Sequence, residues 1–245
     1  MRIRPFIRAD HPQVAEITFQ AFQKDEFFDW LSPGRHKYPE DLRRSQRVRL
    51  RYRLVDVGQY GFVVVTEEGD PDWSGKEEIM GFAFLLRIGQ DGKTVGWQAD
   101  SLFNKIERQL IRWEQWYDAT FMDRAADPKH MKELLDLAPW TFFKPINPRW
   151  HLGLIGVSPK FQRRGVGSML VQQGQKFAAQ EGVPMTLEAS VVGRRLYLKN
   201  GFKKVHEMAI CDGYVDHLMV WEPAGSEGTW LEDIEGGTAR MKGAN

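Results

Sequence analysis

The stretch Leu154-Ile155-Gly156-Val157-Ser158-Pro159-Lys160-Phe161-Gln162-Arg163-Arg164-Gly165-Val166-Gly167-Ser168 constrains this chain more than any other. An apolar run ends at Ser158-Pro159, a short basic loop follows, and a helical pattern runs from Gly165 to Glu181, where Gly182 stops it. The order is therefore strand, loop, helix. The first turn of a helix leaves backbone N–H groups without acceptors and carries the positive end of the helix dipole. An anionic phosphate binds there readily. Gly165 and Gly167 keep side chains away from such a ligand, and Arg163 and Arg164 add charge-assisted donors. Two other glycine loops are excluded. G-x-x-x-x-G-K-S/T is absent, and a dinucleotide fingerprint needs a third glycine where Leu170 stands. An ordinary strand-to-helix turn with solvated arginines fits the same glycines, so these residues alone leave both readings open.

The rest of the chain alternates strands and helices, which defines a mixed α/β class. Residues 2–7 read as a strand, and His11-Pro12 opens a helix with Val14, Ile17, Ala21 and Phe22 at helical spacing. Residues 25–37 read as a loop rich in aromatics, and Pro39 suits the first turn of a second helix ending near Leu54. Strands follow at 61–67 and 78–88. After residue 148 the pattern predicts a strand over 150–157, a helix over 165–181, a strand over 185–188, a helix over 191–198, and strands over 203–210 and 214–221. Asp212-Gly213 joins the last two as a hairpin turn.

Residues 91–148 break this rhythm. Phe103, Ile106, Leu110, Trp113, Tyr117 and Phe121 recur every three or four residues, one apolar stripe on a long helix capped by Asp100 or Ser101. Asp127-Pro128 caps a second helix that ends before Pro139. The segment holds Trp97, Trp113, Trp116 and Trp140 of the nine tryptophans. Such a helical insertion can close a cleft as a lid, meet another copy of the chain, or extend the core. Residues 1–223 are expected to form a single domain including it. Residues 224–245, with five glycines and little periodicity, are expected to be a flexible tail, pinned at most by Trp230 or Leu231.

Composition narrows the class. With 42% hydrophobic and 27% charged residues, disordered and collagen-like chains are excluded. No apolar stretch approaches the ~20 residues of a membrane helix, so no membrane partner is expected. A single cysteine, Cys211, rules out an internal disulfide framework and a cysteine-built zinc site. His206-Glu207 begins an H-E-x-x-H pattern, but Ile210 occupies the second histidine position, so no metal is expected. The start M-R-I-R-P-F-I-R lacks the apolar core of a secretory signal, and a cytoplasmic or nuclear location is expected. The net charge of +1 gives no sign of a polyanionic partner. Residues 150–205, however, hold nine Lys/Arg against Glu181 and Glu188, a local +7 suited to a small phosphate-bearing ligand.

Taken whole, residues 155–167 resemble the acyl-CoA signature of the GNAT superfamily of N-acyltransferases, L-x-V-x-P-x-x-Q/R-x-x-G-x-G/A. Ile155, Val157, Pro159, Gln162, Gly165 and Gly167 carry the match. Downstream, residues 190–202 are similar to the family's N-x-x-A-x-x-L-Y-x-x-x-G-F. Leu196, Tyr197, Gly201 and Phe202 fit, while Ser190 and Gly193 replace the asparagine and the alanine. Serine reaches less far than asparagine, and glycine costs a helix about 1 kcal/mol relative to alanine. The motifs occupy 150–205. The order of elements extends the resemblance from Met1 to about Trp221, minus the insertion, which falls between the third and fourth core strands.

The resemblance implies a GNAT-like fold, a central mixed β-sheet flanked by helices. It implies an acetyl-CoA-dependent N-acetyltransferase in which a primary amine attacks directly within a ternary complex. The backbone of Ile155 and Val157 would pair with the pantetheine arm. Gln162, Arg163, Arg164, Gly165, Val166, Gly167 and Ser168 would hold the pyrophosphate, and Ser190 would add one hydrogen bond. The Val157 N–H is the implied donor to the thioester carbonyl. Tyr197 is the implied general acid for the leaving thiolate; with a reference pKa of about 10 it is protonated at neutral pH. An amine of pKa ~10.4 is less than about a thousandth neutral at pH 7, so a proton must also be removed. Glu188 and His151 are the candidate bases, though each also suits a purely structural role.

The acceptor is expected beside the first helices and the last hairpin. Phe27, Phe28, Trp30 and Tyr214 stand there, with Asp212 and Asp216 as partners for a cation. A lid would favour a small-molecule amine over a protein tail. Three other readings stay open: a protein or peptide acceptor, a catalytically silent acyl-CoA-binding domain, and nucleic-acid binding by the basic stretch 35–53. In that stretch eight Lys/Arg face Glu40 and Asp41, and a solvated face paired with acids elsewhere is the favoured account. The sequence sets no oligomeric state.

Overall fold

A computed structural model describes residues 1–23, 25–90, 100–234 and 236–242. Trp97 and Gly243 lie outside the described residues. The strands are β1 (Arg2–Pro5), β2 (Gln59–Val65), β3 (Ile79–Ile88), β4 (Arg149–Val157), β5 (Met185–Ala189), β6 (Lys203–Cys211), β7 (Tyr214–Trp221), β8 (Leu231–Ile234) and β9 (Thr238–Met241). The helices are α1 (His11–Ala21), α2 (Glu26–Leu31), α3 (Pro39–Arg53), α4 (Leu102–Tyr117), α5 (Pro128–Leu137), α6 (Val166–Glu181) and α7 (Arg194–Lys199). The strands form one mixed sheet in the order β1-β2-β3-β4-β5-β7-β6-β9-β8. The pairs β4/β5 and β6/β9 are parallel, and the others antiparallel.

The continuous apolar run of β3 exists because helices cover both faces of the sheet at its centre. Alternate residues divide between two cores. Phe62, Val64, Ala83 and Leu85 pack under Val166, Leu170, Val171 and Ala178 of α6. Val63, Val65, Phe82 and Phe84 pack on Val14 and Ile17 of α1 and Leu50 of α3. No helix of the described residues is long and apolar enough to cross a membrane.

The structure departs from the sequence reading in four places. Residues 25–37 contain α2, because Asp25 caps it, accepting from the N–H groups of Phe27 and Phe28 at 3.1 and 3.3 Å. The helix expected from Val191 starts at Arg194, after a turn in which Ser190 Oγ accepts from the Gly193 N–H at 3.2 Å. The segment read as a loose tail contains the β8–β9 hairpin, joined to β6 at Lys204↔Thr238. Leu231, Ala239 and Met241 of that hairpin are buried against Phe143, Leu218 and Val220. Lastly, the apolar stripe of α4 faces outward, and the helix meets the body through the buried Ile111. Arg108 donates to the Val55 carbonyl at 2.6 Å, and Glu114 pairs with Arg51 at 2.9 Å.

A buried charge cluster ties the ends of three elements. Arg87 of β3 is fully buried and donates to Glu181, at the end of α6, at 2.8 Å. The Trp150 indole N–H of β4 donates to the other Glu181 oxygen at 3.2 Å. Removing one member of such a pair leaves an uncompensated buried charge and costs about 3–5 kcal/mol. Glu181→Ala should lose stability of that size in urea unfolding; a loss under about 1 kcal/mol would show that the clamp contributes little.

Candidate active site

The site begins where β4 leaves β5. They pair in parallel only at Trp150↔Met185 and His151↔Thr186, although β4 runs on to Val157 and β5 to Ala189. The β3–β4 register slips between Phe84↔Leu154 and Leu85↔Leu152, so Gly153 is an extra residue that bends β4 away. Beyond the bulge, β4 stays bonded to β3, and the Ser158 N–H reaches the Met80 carbonyl at 2.9 Å. Backbone groups alternate sides along a strand. The N–H and C=O of Ile155 and Val157 therefore point to the opposite edge, into the gap. Gln162 Nε2 donates to the Val157 carbonyl there at 3.4 Å.

The loop closes that gap at one end. Buried Phe161 anchors it in the core. Arg163 (φ 62°) and Gly165 (φ 84°) adopt left-handed backbone, which turns the chain into α6. Among the described residues no side chain caps α6, whose N-cap is Gly165, so the first N–H groups of the helix face the loop unpaired by a cap. A Cβ at Gly167 would lie 3.1 Å from Leu196 Cδ2, so α6 meets α7 closely at this glycine. The loop cations differ. Arg164 pairs with Asp72, and Lys160 with Glu78 at 2.7 Å, whereas Arg163 makes no ion pair among the described residues. Ser168 Oγ accepts from Asn200 Nδ2 at 3.4 Å.

Tyr197 is buried, with its ring 5.8 Å from that of Phe202 and its hydroxyl unbonded to any described residue. Burial pushes its phenol pKa up, so it holds its proton throughout the neutral range. A Cβ at Gly193 would sit 3.3 Å from both Tyr197 Cε2 and Ser190 Oγ. Glycine at the alanine position thus lets the turn close over the tyrosine. Ser190 spends its oxygen on that turn.

Across the gap stand carboxylates and rings. His151 is held at both nitrogens, Nδ1 by Thr186 Oγ1 at 3.0 Å and Nε2 by Glu188 Oε2 at 3.2 Å. Glu188 Oε1 is buried without a hydrogen bond among the described residues. Burial pushes Glu188 up, but His151 and Arg149 outweigh it and hold the carboxyl below its ordinary range. Tyr214 is buried and donates to Asp216 Oδ1 at 2.8 Å. Burial raises the Asp216 pKa to about 6; the Tyr214 bond opposes this, and the charges of Glu188 and Asp25 add to it. Desolvation likewise raises Asp25.

The rings expected at the acceptor side meet in one cluster. Phe27 lies 5.7 Å from Tyr214, 5.4 Å from Phe28 and 6.2 Å from Trp30. Sequence reasoning missed what closes it from the insertion. His130 of α5 stacks on Trp30 at 4.9 Å, and Phe143 sits 6.1 Å from His151. It also missed Asp25, although an Asp three residues before a helical Phe is a cap signal. Asp212 lies in the exposed turn before β7. In the basic stretch, Arg44 pairs with Asp118 and Arg43 with Glu16, while Arg35 is buried against Asp29.

A family model described as the acetyltransferase (GNAT) family matches residues 20–202. An acetyltransferase of Stachybotrys chartarum is 25% identical over 218 residues, 87% of each chain. Among solved structures, a Corynebacterium glutamicum histone acetyltransferase HPA2 and related acetyltransferase aligns at a TM-score of 0.55 and 21% identity, over 91% of this chain and 96% of that one. A mosquito arylalkylamine N-acetyltransferase like 5b aligns at 0.50 and 14%, over 90% and 99%. These two likenesses show a shared fold.

Because Asp216 binds its proton more tightly folded than unfolded, its contribution to stability falls as pH rises from about 4 to 6. Asp216→Asn removes that cost. The stabilisation it brings at pH 7 should exceed that at pH 5 by about 1 kcal/mol in paired urea melts; equal values would mean an ordinary carboxylate.

Proposed function

The chain belongs to the acetyltransferase (GNAT) family, and we propose that it moves an acetyl group from acetyl-CoA to the primary amine of a small molecule, by direct attack in a ternary complex. The observation that carries this reading is the open edge of β4. It runs from an uncapped helix N-terminus, suited to phosphates, to a wall of rings and carboxylates, suited to a cationic amine. Acetyl-CoA supplies the acyl group as a thioester when bound.

The open-edge groups of Ile155 and Val157 hold the pantetheine amides, and the residues from Gln162 to Ser168 hold the pyrophosphate, with Arg163 as the uncommitted cation. The Val157 N–H polarises the carbonyl at which the amine attacks. Tyr197, kept protonated by burial, gives its proton to the departing sulfur. With both ring nitrogens of His151 spent, that residue orients Glu188. Glu188, ionised at neutral pH, leaves Oε1 to receive the ammonium. Asp216, near 6, is the better match for taking the amine proton. Phe27 and Tyr214 receive the apolar body of the acceptor. The contacts of His130 and Phe143 narrow this side, which supports a small amine over a protein tail.

Acetyl-CoA should raise the melting temperature at millimolar concentration. A thiol-release panel of arylalkylamines, polyamines, aminoglycosides and peptides should give turnover with small cationic amines. Release only with peptides would overturn the small-molecule assignment, and release with none would overturn the catalytic one. Tyr197→Phe should lower kcat about 10²-fold or more, with the KM for acetyl-CoA little changed; full activity would remove the acid role. Asp216→Asn should abolish the rise in kcat/KM centred near pH 6.

A further inference from the structure

The exposed large apolar side chains of the described residues concentrate on one face of α4. Phe103, Ile106, Leu110, Trp113 and Tyr117 are each 53–68% exposed. Their spacing alternates three and four residues over two heptads, which is the seam of a helix that packs against another helix. Leu102 and Trp116 widen the seam on one side, and Trp116 packs edge-on against Phe121 at 5.7 Å.

The inner side of α4 is already committed. Ile111 is buried, Arg108 binds the Val55 carbonyl, and Glu107 and Glu114 pair with Arg8 and Arg51. With roughly 150–250 Å² per large side chain and more than half exposed, the seven side chains of the outer face present on the order of 650–1,050 Å². The largest apolar patch of a typical monomer is about 300–600 Å². A stable interface needs about 800 Å² from each partner, so this face alone is of dimer size.

The flanks decide what covers it. At 100° per residue, Glu107 and Glu114, already paired with Arg8 and Arg51, flank the seam on one side and Leu102, Gln109 and Trp116 on the other, while Lys105 and Arg112 lie toward the far side of the helix. Neither flank is basic, unlike that of a helix that lies on a membrane. When two copies pair about a twofold axis parallel to the helix, the glutamate flank of each meets the uncharged Leu102, Gln109 and Trp116 flank of the other. An antiparallel pair would set the two glutamate flanks together. We infer that α4 packs in parallel against α4 of a second copy, making a homodimer by an isologous contact. None of the side chains placed above in the β4–β5 gap comes from α4, so the dimer contact and the chemistry are separable.

Sedimentation velocity on the full chain at about 50 µM should give twice the 28.4 kDa chain mass. Ile106→Glu and Trp113→Glu, at exposed positions, should each sediment as monomers with unchanged circular dichroism and thiol release. Should either fail to fold, Leu110→Lys serves the same purpose. Ile106→Cys in a Cys211→Ser background should form an intermolecular disulfide on mild oxidation, since parallel pairing sets residue 106 opposite its own copy. A monomeric parent chain, including one that associates only with phosphatidylserine vesicles, overturns the homodimer. A dimer that persists in the charged variants overturns the α4 seam. A dimer in which the Ile106→Cys variant forms no cross-link overturns the parallel register.

Discussion

Between β4 and β5 only two residue pairs are in register before the strands separate, and a buried peptide edge cannot be left without partners. The extra residue at Gly153 starts the divergence while β4 remains bonded to β3. One edge of β4 is thus tied into the sheet, and the other is open to a ligand that brings its own amide groups. The same divergence brings α6 and α7 together past the strand ends. There Gly167 has Leu196 as its neighbour, and a side chain at that position would need the Leu196 tip to give by a few tenths of an ångström.

The closed and open ends of this wedge are held by opposite kinds of chemistry. At the closed end Arg87, Glu181 and Trp150 form a compensated buried cluster, with Trp150 itself in one of the two β4–β5 pairs. At the open end Glu188 and Asp216 are buried near each other's charge, and Asp216 is left with a raised pKa. A carboxyl of that kind lowers stability at neutral pH and is better suited to accept a proton there. The protein tolerates this because the rest of the wedge is fastened in the two cores on either face of the sheet.

The loop from Gln162 to Ser168 was legible because its shape rests on local residues. Gly165 supplies a backbone angle few other residues adopt, and the strand before and helix after it show their own periodicities. The β8–β9 hairpin was not legible. Its strands are four residues each, too short for an alternating pattern, and its burial comes from Phe143, Leu218 and Val220, distant in sequence. The partners of His151 depend equally on distant pairing, since Thr186 and Glu188 become its neighbours only through the β4–β5 register. Periodicity also revealed the stripe on α4 without its direction. The inward side of that helix is made by Ile111 and by long polar side chains such as Arg108 reaching backbone carbonyls. The hydrophobic pattern of the helix points the other way.

That reversal divides the described part of the insertion into two surfaces. The stretch from α5 to Phe143 packs on α2 and on the strand that carries His151, the side at which the proposed acceptor would enter. α4 packs on α3, which itself covers the face of the sheet opposite α6. Under the proposed reading the second half of the insertion borders the acceptor side, whereas the outer face of α4 contributes no side chain to it.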